Sequence, residues 1–539
     1  MKLTGYFLIF LAVTLGFFTR IFAVFQYVTF DIGPDPDQIR DAFAVMNIWQ
    51  GNFPTLGPST TIGHHHILPL YYYLFFPFTL LGANPVFQAL PNALFSFLSI
   101  PLLIYLTYEL LENVKAPVRV FLSGLAGFWY SLLFGEIFIS NFQWNPSSIP
   151  FFLLVFTLLY KLQMECDFSL IVQAILWICY GLTMAILISL HSSTLFVMPI
   201  VFIFSSLIFV FRAIKINRKF LMLLPTLSVL STLIALLPYW IGEVDRHFSN
   251  TKEIFKTIVS ASSKSNSTGL LSNLWSKLSN LFLNYFKLVE QAYFWNSSWF
   301  SLVTSVIFLC VVTYLGITRF KGNKYIWYIL CSTWLIYLFS ASNIDSTTAI
   351  FYYKLVILFA PIILTVTSLA YLDDSQLKNR ILVVFLGVII IFSSFQNLIY
   401  DYQFMLSKYS QNRLTSTAET IQVLNQLPAN STICDPRIKR KRLVNNQYNY
   451  IDTHITHRNI KIVDTCQIGN YVIHPKRILL IEGNFLNDQT YENTYFVKNF
   501  TSPGSTNLWP IFEIAKNNQI ERRSKLFLET ETAYVYLLN

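Results

Sequence analysis

The sequence predicts a multi-pass α-helical membrane protein of about eleven transmembrane helices, followed by a small extracytoplasmic α/β domain. Three observations lead there. Of 539 residues, 54% are hydrophobic and only 12% are charged, whereas a soluble domain carries roughly a quarter charged residues. Apolar runs of the ~20 residues needed to cross a bilayer recur along residues 1–399. Beyond Tyr400 they give way to Asn, Gln, Lys and Thr. A mean hydropathy of +0.50 excludes a disordered chain, a collagen-like chain and a nucleic-acid-binding module, because the apolar content exceeds what one globular core can use. The net charge of +10 is therefore read loop by loop, since membranes retain Lys and Arg on the cytoplasmic side.

The apolar runs lie at approximately 4–26, 92–111, 118–139, 147–163, 169–190, 193–211, 220–240, 299–318, 325–341, 351–371 and 381–399. The first reads as an anchor, being long, bearing Arg20 near its far end and lacking a small-x-small cleavage site. With the N-terminus in the cytoplasm, the cytoplasmic breaks collect Arg212, Lys215, Arg218, Lys219, Arg319, Lys321 and Lys324, which satisfies the positive-inside rule. The outer side receives residues 29–66, with four aspartates against the single Arg40. Residues 67–81 are apolar but short and hold Pro69 and Pro77, so they predict an interfacial or re-entrant helix with Tyr71, Tyr72 and Tyr73 in the aromatic belt. An odd number of spans puts the C-terminus outside.

The resulting division is a membrane part over 1–399, with a first outer loop at 29–91 and a long outer loop at 241–299, and an extracytoplasmic domain over 400–539. Within that domain 460–463, 477–481 and 533–538 read as strands and 415–427 as an amphipathic helix. Cys434 and Cys466 face an oxidising compartment, as a disulfide or as two free thiols; the other cysteines lie in or beside spans.

Asp31, Asp35, Asp37 and Asp41 fall within eleven residues just after the first span. Pro34 and Pro36 force an extended approach, and residues 37–50, free of Pro and Gly, predict a helix that starts near Asp37. Residues three and four apart are helical neighbours, so Asp37, Arg40 and Asp41 share a face. Such a carboxylate at the water boundary can take a proton from a hydroxyl; the plain alternative is a helix cap with its salt-bridge partner. Asp35, held by the two prolines, is the rival base. Charges within spans point to function: Arg20 and Lys354 are candidate contacts for a lipid phosphate, with snorkelling to headgroups as the alternative, and Glu136 is a candidate partner for one of them. His191, at the outer end of the fifth span, either reaches a cavity or packs with a hydrogen bond.

Asp37-Gln-Ile-Arg-Asp-Ala42, Leu56-Gly-Pro-Ser59, His64-His-His-Ile-Leu-Pro-Leu-Tyr-Tyr-Tyr73 and Trp144-Asn-Pro-Ser147 together resemble the bacterial polyprenyl-linked glycosyltransferases that include protein O-mannosyltransferases and the aminoarabinose transferase of lipid A. The likeness is most specific over the first 165 residues or so and says little about 400–539. It implies a glycosyltransferase-C-like fold in a bacterial cytoplasmic membrane. It also implies transfer of a hexosyl or pentosyl group from a polyprenyl-phosphate donor to a glycan, lipid or protein acceptor. In that family the first outer loop carries an Asp-Glu or Asp-Gln pair whose aspartate is the inferred base, which maps onto Asp37 with Gln38 as its partner; where relatives have glutamate, Gln38 supplies no second charge. Tyr71 and Tyr72 fall in the family's Pro-Leu-Tyr-Tyr run, on the substrate side. His66, or His65 if the register slips by one, occupies the place of a residue tied to metal binding in some members, so a divalent metal ion is the one cofactor implied. The alternative class is a membrane transporter or lipid-linked sugar flippase, for which charges on both sides of the midplane are expected; those singled out here lie on the outer side.

Overall fold

The computed structural model describes residues 1–27, 37–60, 65–141, 143–165, 168–263, 359–370, 377–410, 417–434, 449–463, 471–475, 524–529 and 533–538. The chain divides into two compact units, Met1–Gln26 with Asn47–Pro77 and Ala89–Tyr402, and Tyr27–Met46 with Phe78–Gln88 and Gln403–Asn539. Two pieces of the first outer loop thus fall in the same unit as the C-terminal residues, not with the spans that flank them in sequence.

In chain order the helices are α1 (Lys2–Gly16), which continues through a π-helical turn at Phe17–Phe22 into α2 (Ala23–Tyr27), then α3 (Asp37–Asn47), α4 (Leu70–Phe75), α5 (Pro85–Leu110), α6 (Ala116–Ser131), α7 (Phe134–Ser140) and α8 (Ile149–Glu165). There follow α9 (Leu170–Leu190), α10 (Ser192–Lys215), α11 (Leu224–Ala235), α12 (Leu237–Asp245), α13 (Ser249–Ser263), α14 (Ala360–Ala370), α15 (Leu377–Ser410) and α16 (Thr417–Gln426). Among the described residues, six helices are long and apolar enough to cross a bilayer, and two bent pairs raise the number to eight. These eight match the first seven expected spans and the eleventh. The expected spans 299–318 and 325–341 lie outside the described residues, and 351–371 is described only from Phe359 onward.

Both bends fall where the sequence reads as unbroken. The third expected span bends by 58° between α6 and α7, and the seventh by 57° between Phe220–Ala235 and α12. A bilayer offers no water to the backbone groups freed at such a break. At the first of them, Asn397 Oδ1 accepts from the Phe134 amide at 3.0 Å and Arg20 donates to the Ser131 carbonyl at 3.0 Å. Pro238 in the first turn of α12 accounts for the second break, since it offers no amide to continue the preceding helix. Elsewhere close packing relies on small residues: a Cβ on Gly124 of α6 would sit 2.6 Å from the Gly5 carbonyl of α1, so only glycine lets the two helices meet.

The aromatic belt expected at 71–73 is corrected by the structure. Tyr71 and Tyr72 are buried, tilted against one another at a centroid separation of 5.4 Å, and α4 packs on α9. Successive helical residues are ~100° apart, so three tyrosines in a row cannot all face lipid. Tyr73 is half-buried and donates its hydroxyl to the Pro54 carbonyl at 2.9 Å.

The second unit holds a five-stranded mixed sheet of β1 (Thr432–Cys434), β2 (Lys461–Val463), β3 (Tyr471–Pro475), β4 (Ser524–Glu529) and β5 (Ala533–Leu538), in the order β2-β1-β3-β5-β4. β1 runs parallel to β2 and β3, with Ile433 opposite Ile462 and Tyr471, while β5 pairs antiparallel with β3 and β4. The helix at α16 and the strands at β2 and β5 stand where the sequence puts them. The expected strand 477–481 and Cys466 lie outside the described residues. The core of this unit joins Val423, Leu424, Leu427, Ile433, Tyr450, Ile451 and Ile460 to Ile39 and Ala42 of α3. Asp452 pins the crossover from β1 to β2, accepting from the Arg458 amide at 2.8 Å, the Ile460 amide at 2.7 Å and the Thr456 hydroxyl at 2.8 Å.

Candidate functional site

The acid helix α3 starts at Asp37, as the Pro-rich approach predicts, and ends through a 3-10 turn at Gly51, whose φ of +83° suits glycine. At ~100° per residue, Ile39, Ala42, Phe43 and Met46 form one face, which packs into the core of the second unit. Asp37, Arg40 and Asp41 form the opposite face. Arg40 ties the two carboxylates together: one guanidinium nitrogen pairs with Asp37 Oδ1, while Nε and Nη2 each reach Asp41 Oδ1 at 2.9 Å. Burial separates the two acids. Asp41 is fully buried, whereas the side chains of Asp37 and Arg40 are 30% and 31% exposed. Gln38 is buried off to the side of this face. Asp35 lies outside the described residues.

Arg20, in the π-helical turn of the first span, is fully buried. Nε donates to Ser96 Oγ of α5 at 2.8 Å, and Nη1 to Thr19 Oγ1 and the Ser131 carbonyl, both at 3.0 Å. Glu136 of α7 and Asp401 of α15, both buried, interact with it electrostatically. The structure therefore brings Arg20 and Glu136 together, as the sequence suggests, but sets them inside a polar knot at the break of the bent span. Asp401 was not singled out in the sequence; its signal is a carboxylate just past the last apolar run. Lys354 lies outside the described residues.

His66 is held through Nδ1 by the Gly57 carbonyl at 2.9 Å, and its amide donates to Asn250 Oδ1 at 2.7 Å. His65 is buried, with its ring edge-on to Phe196 at 5.9 Å. Among the described residues no three His, Cys, Asp or Glu side chains converge as metal ligands would; His64 lies outside the described residues. His191 links α9 to α10 and caps α10, its Nδ1 accepting from the Ser193 amide at 3.2 Å. Burial pushes its imidazole down to about 4, so the ring is neutral at physiological pH.

Neither a protein-family model nor a curated relative matches the sequence. The likeness lies in the structure. The chain superposes on ArnT from Cupriavidus metallidurans bound to undecaprenyl phosphate with a TM-score of 0.54 at 12% identity, covering 98% of this chain and 97% of that one. The apo state of the same protein gives 0.54 at 11% identity, covering 99% and 98%. The apo oligosaccharyltransferase of Archaeoglobus fulgidus gives 0.47 at 12% identity, covering 99% of this chain and 74% of that one. Sequence identity this low speaks for architecture alone, and on that ground the chain shares the glycosyltransferase-C fold of ArnT along nearly its whole length.

Proposed function

We propose that the protein is an integral-membrane glycosyltransferase that moves one sugar from a polyprenyl-phosphate carrier to a hydroxyl of a glycan, lipid or protein on the extracytoplasmic face of a bacterial cytoplasmic membrane. The observation that carries the reading is the Asp37–Arg40–Asp41 face, where one carboxylate is open to solvent and is oriented by a guanidinium anchored on a buried second acid. Asp37 takes the proton of the acceptor hydroxyl as its oxygen bonds to the anomeric carbon. The bond from that carbon to the phosphate oxygen breaks, and the lipid phosphate leaves with the electron pair. The fold shared with ArnT, seen bound to undecaprenyl phosphate, supports a lipid-phosphate donor. On this reading Lys354 meets the leaving phosphate, as an ammonium stabilises developing negative charge, and Arg20 holds the bent span.

The test is release of undecaprenyl phosphate by purified protein from undecaprenyl phosphate bearing mannose, glucose or aminoarabinose, with water standing in for the acceptor. Asn also caps helices well, so Asp37→Asn is expected to keep folding and undecaprenyl phosphate binding while release falls by roughly 10²-fold or more. Folded protein that releases lipid phosphate from none of the three donors favours the transporter class. Release that survives Asp37→Asn but not Asp35→Asn moves the base to Asp35.

A further inference from the structure

The helix that carries Asp37 takes its seat from residues late in the chain. Ile39 and Ala42 share the core of the second unit with Val423 and Tyr450, and Phe43 packs against it. Tyr450 is the joint. Fully buried, it meets the Phe43 ring edge-on, with centroids 5.2 Å apart and planes at 86°. Its hydroxyl donates to the Ala83 carbonyl at 2.8 Å and accepts from Gln88 Nε2 at 2.6 Å, and Gln88 is itself fully buried. One side chain thus ties the β1–β2 crossover to both first-loop pieces of its unit, 27–46 and 78–88.

We propose that Tyr450 is a positioning residue for Asp37, an inference that rests on reading Asp37 as the base. The core face and the acid face are opposite sides of one eleven-residue helix. Packing at Phe43 therefore sets the rotation of α3, and the rotation sets where Asp37 points. A helix with its side chains is ~10–12 Å across, so a turn of about 20° swings an outer carboxylate by about 2 Å. Misplacement by ~1 Å can already cost about 10²-fold in rate. The two hydrogen bonds of the hydroxyl hold Tyr450 against sliding, since a buried amide or hydroxyl that loses its partner is costly. The C-terminal segment on this view belongs to the catalytic machinery, as the part that aims its base.

The experiment measures two quantities on the same full-length protein in detergent: equilibrium binding of undecaprenyl phosphate, and its hydrolytic release from the donor that the wild type turns over. Tyr450→Phe removes the hydroxyl and keeps the ring; Gln88→Met removes the amide that donates to it. Each is expected to lower release per binding-competent molecule by about tenfold, with undecaprenyl phosphate affinity within about twofold of wild type, and Tyr450→Leu to lower it by about 10²-fold. A role in stability alone would instead lower binding capacity and release in proportion, and that result overturns the inference. Wild-type release in Tyr450→Phe and Gln88→Met, alongside an inactive Asp37→Asn, overturns it as well and leaves the base in place. Normal release in Asp37→Asn overturns both. If Tyr450→Leu does not fold, the two milder variants carry the test.

Discussion

Arg20→Met decides whether the guanidinium works inside the helix bundle or at a lipid phosphate. In the structure its donors are engaged by Ser96 Oγ, Thr19 Oγ1 and the Ser131 carbonyl, and two buried acids, Glu136 and Asp401, draw on its charge. Removing one partner of a buried ionic group costs about 3–5 kcal/mol, and the Ser131 carbonyl, freed at the end of α6, adds about 1–3 kcal/mol if left bare. The terms overlap, so the expected loss is about 3–5 kcal/mol, enough to unfold a marginal protein. Neutralising the acids as well, in Arg20→Met/Glu136→Gln/Asp401→Asn, removes the uncompensated charge and should recover about half of that loss, leaving mainly the carbonyl term. The assays are SDS-titrated unfolding in mixed micelles followed by tryptophan fluorescence, and undecaprenyl phosphate binding on the fraction that stays folded. A single variant as stable as wild type but deficient in undecaprenyl phosphate binding would refute the reasoning and restore Arg20 to the phosphate site.

Two further outcomes follow from His191 and from the orientation of the chain. His191 has a folded value of about 4, below the ~6.5 of an unfolded histidine. The folded state therefore binds fewer protons, and stability is complete above about 6.5 and falls as pH drops toward 4. The loss between pH 7 and pH 5 is about 2 kcal/mol. His191→Asn, which still caps α10, should flatten thermal stability across that interval; a profile unchanged by the substitution would show that the ring is not buried as a neutral group. For orientation, cysteines at the exposed positions Gln50 and Asn425 should react with an impermeant thiol reagent from outside intact cells, and one at the exposed Lys215 should not. Labelling at Lys215 would invert the topology and remove Asp37 from the extracytoplasmic face.

Span positions were legible because a membrane helix advertises itself by length and hydropathy alone, and each described span begins or ends within a few residues of its apolar run. The bends do not show in hydropathy. Pro238 marks the second, but Leu132-Leu133 interrupt no pattern, and what makes the first break tolerable sits on other helices, in Arg20 and Asn397. Tyr71 and Tyr72 misled for a related reason: an aromatic pair suits an interface or a core equally by composition, and the choice depends on whether a neighbour such as α9 covers it. Strands of three residues, such as β1 and β2, are too short to show alternation; β2 was caught by its apolar burst, and β1 had no such signal.

The site divides along the same line. The pairing of Asp37, Arg40 and Asp41 was legible because it is local, three and four residues along one helix, and the structure closes both pairs. The contacts of Tyr450 and Asp401 were not legible, because their partners lie far away in sequence. Spacing alone also left Asp37 and Asp41 equivalent, and burial is what tells them apart. A base for an outside hydroxyl must meet that hydroxyl at hydrogen-bond distance, and Asp41 has no exposed surface with which to do so. Its value is fixed in place, as the acid that holds Arg40 against Asp37. The exposed member of the trio then needs no pocket of its own, because its direction is set from beneath by Arg40 and Asp41, and from the opposite face of the helix by the core that Phe43 joins.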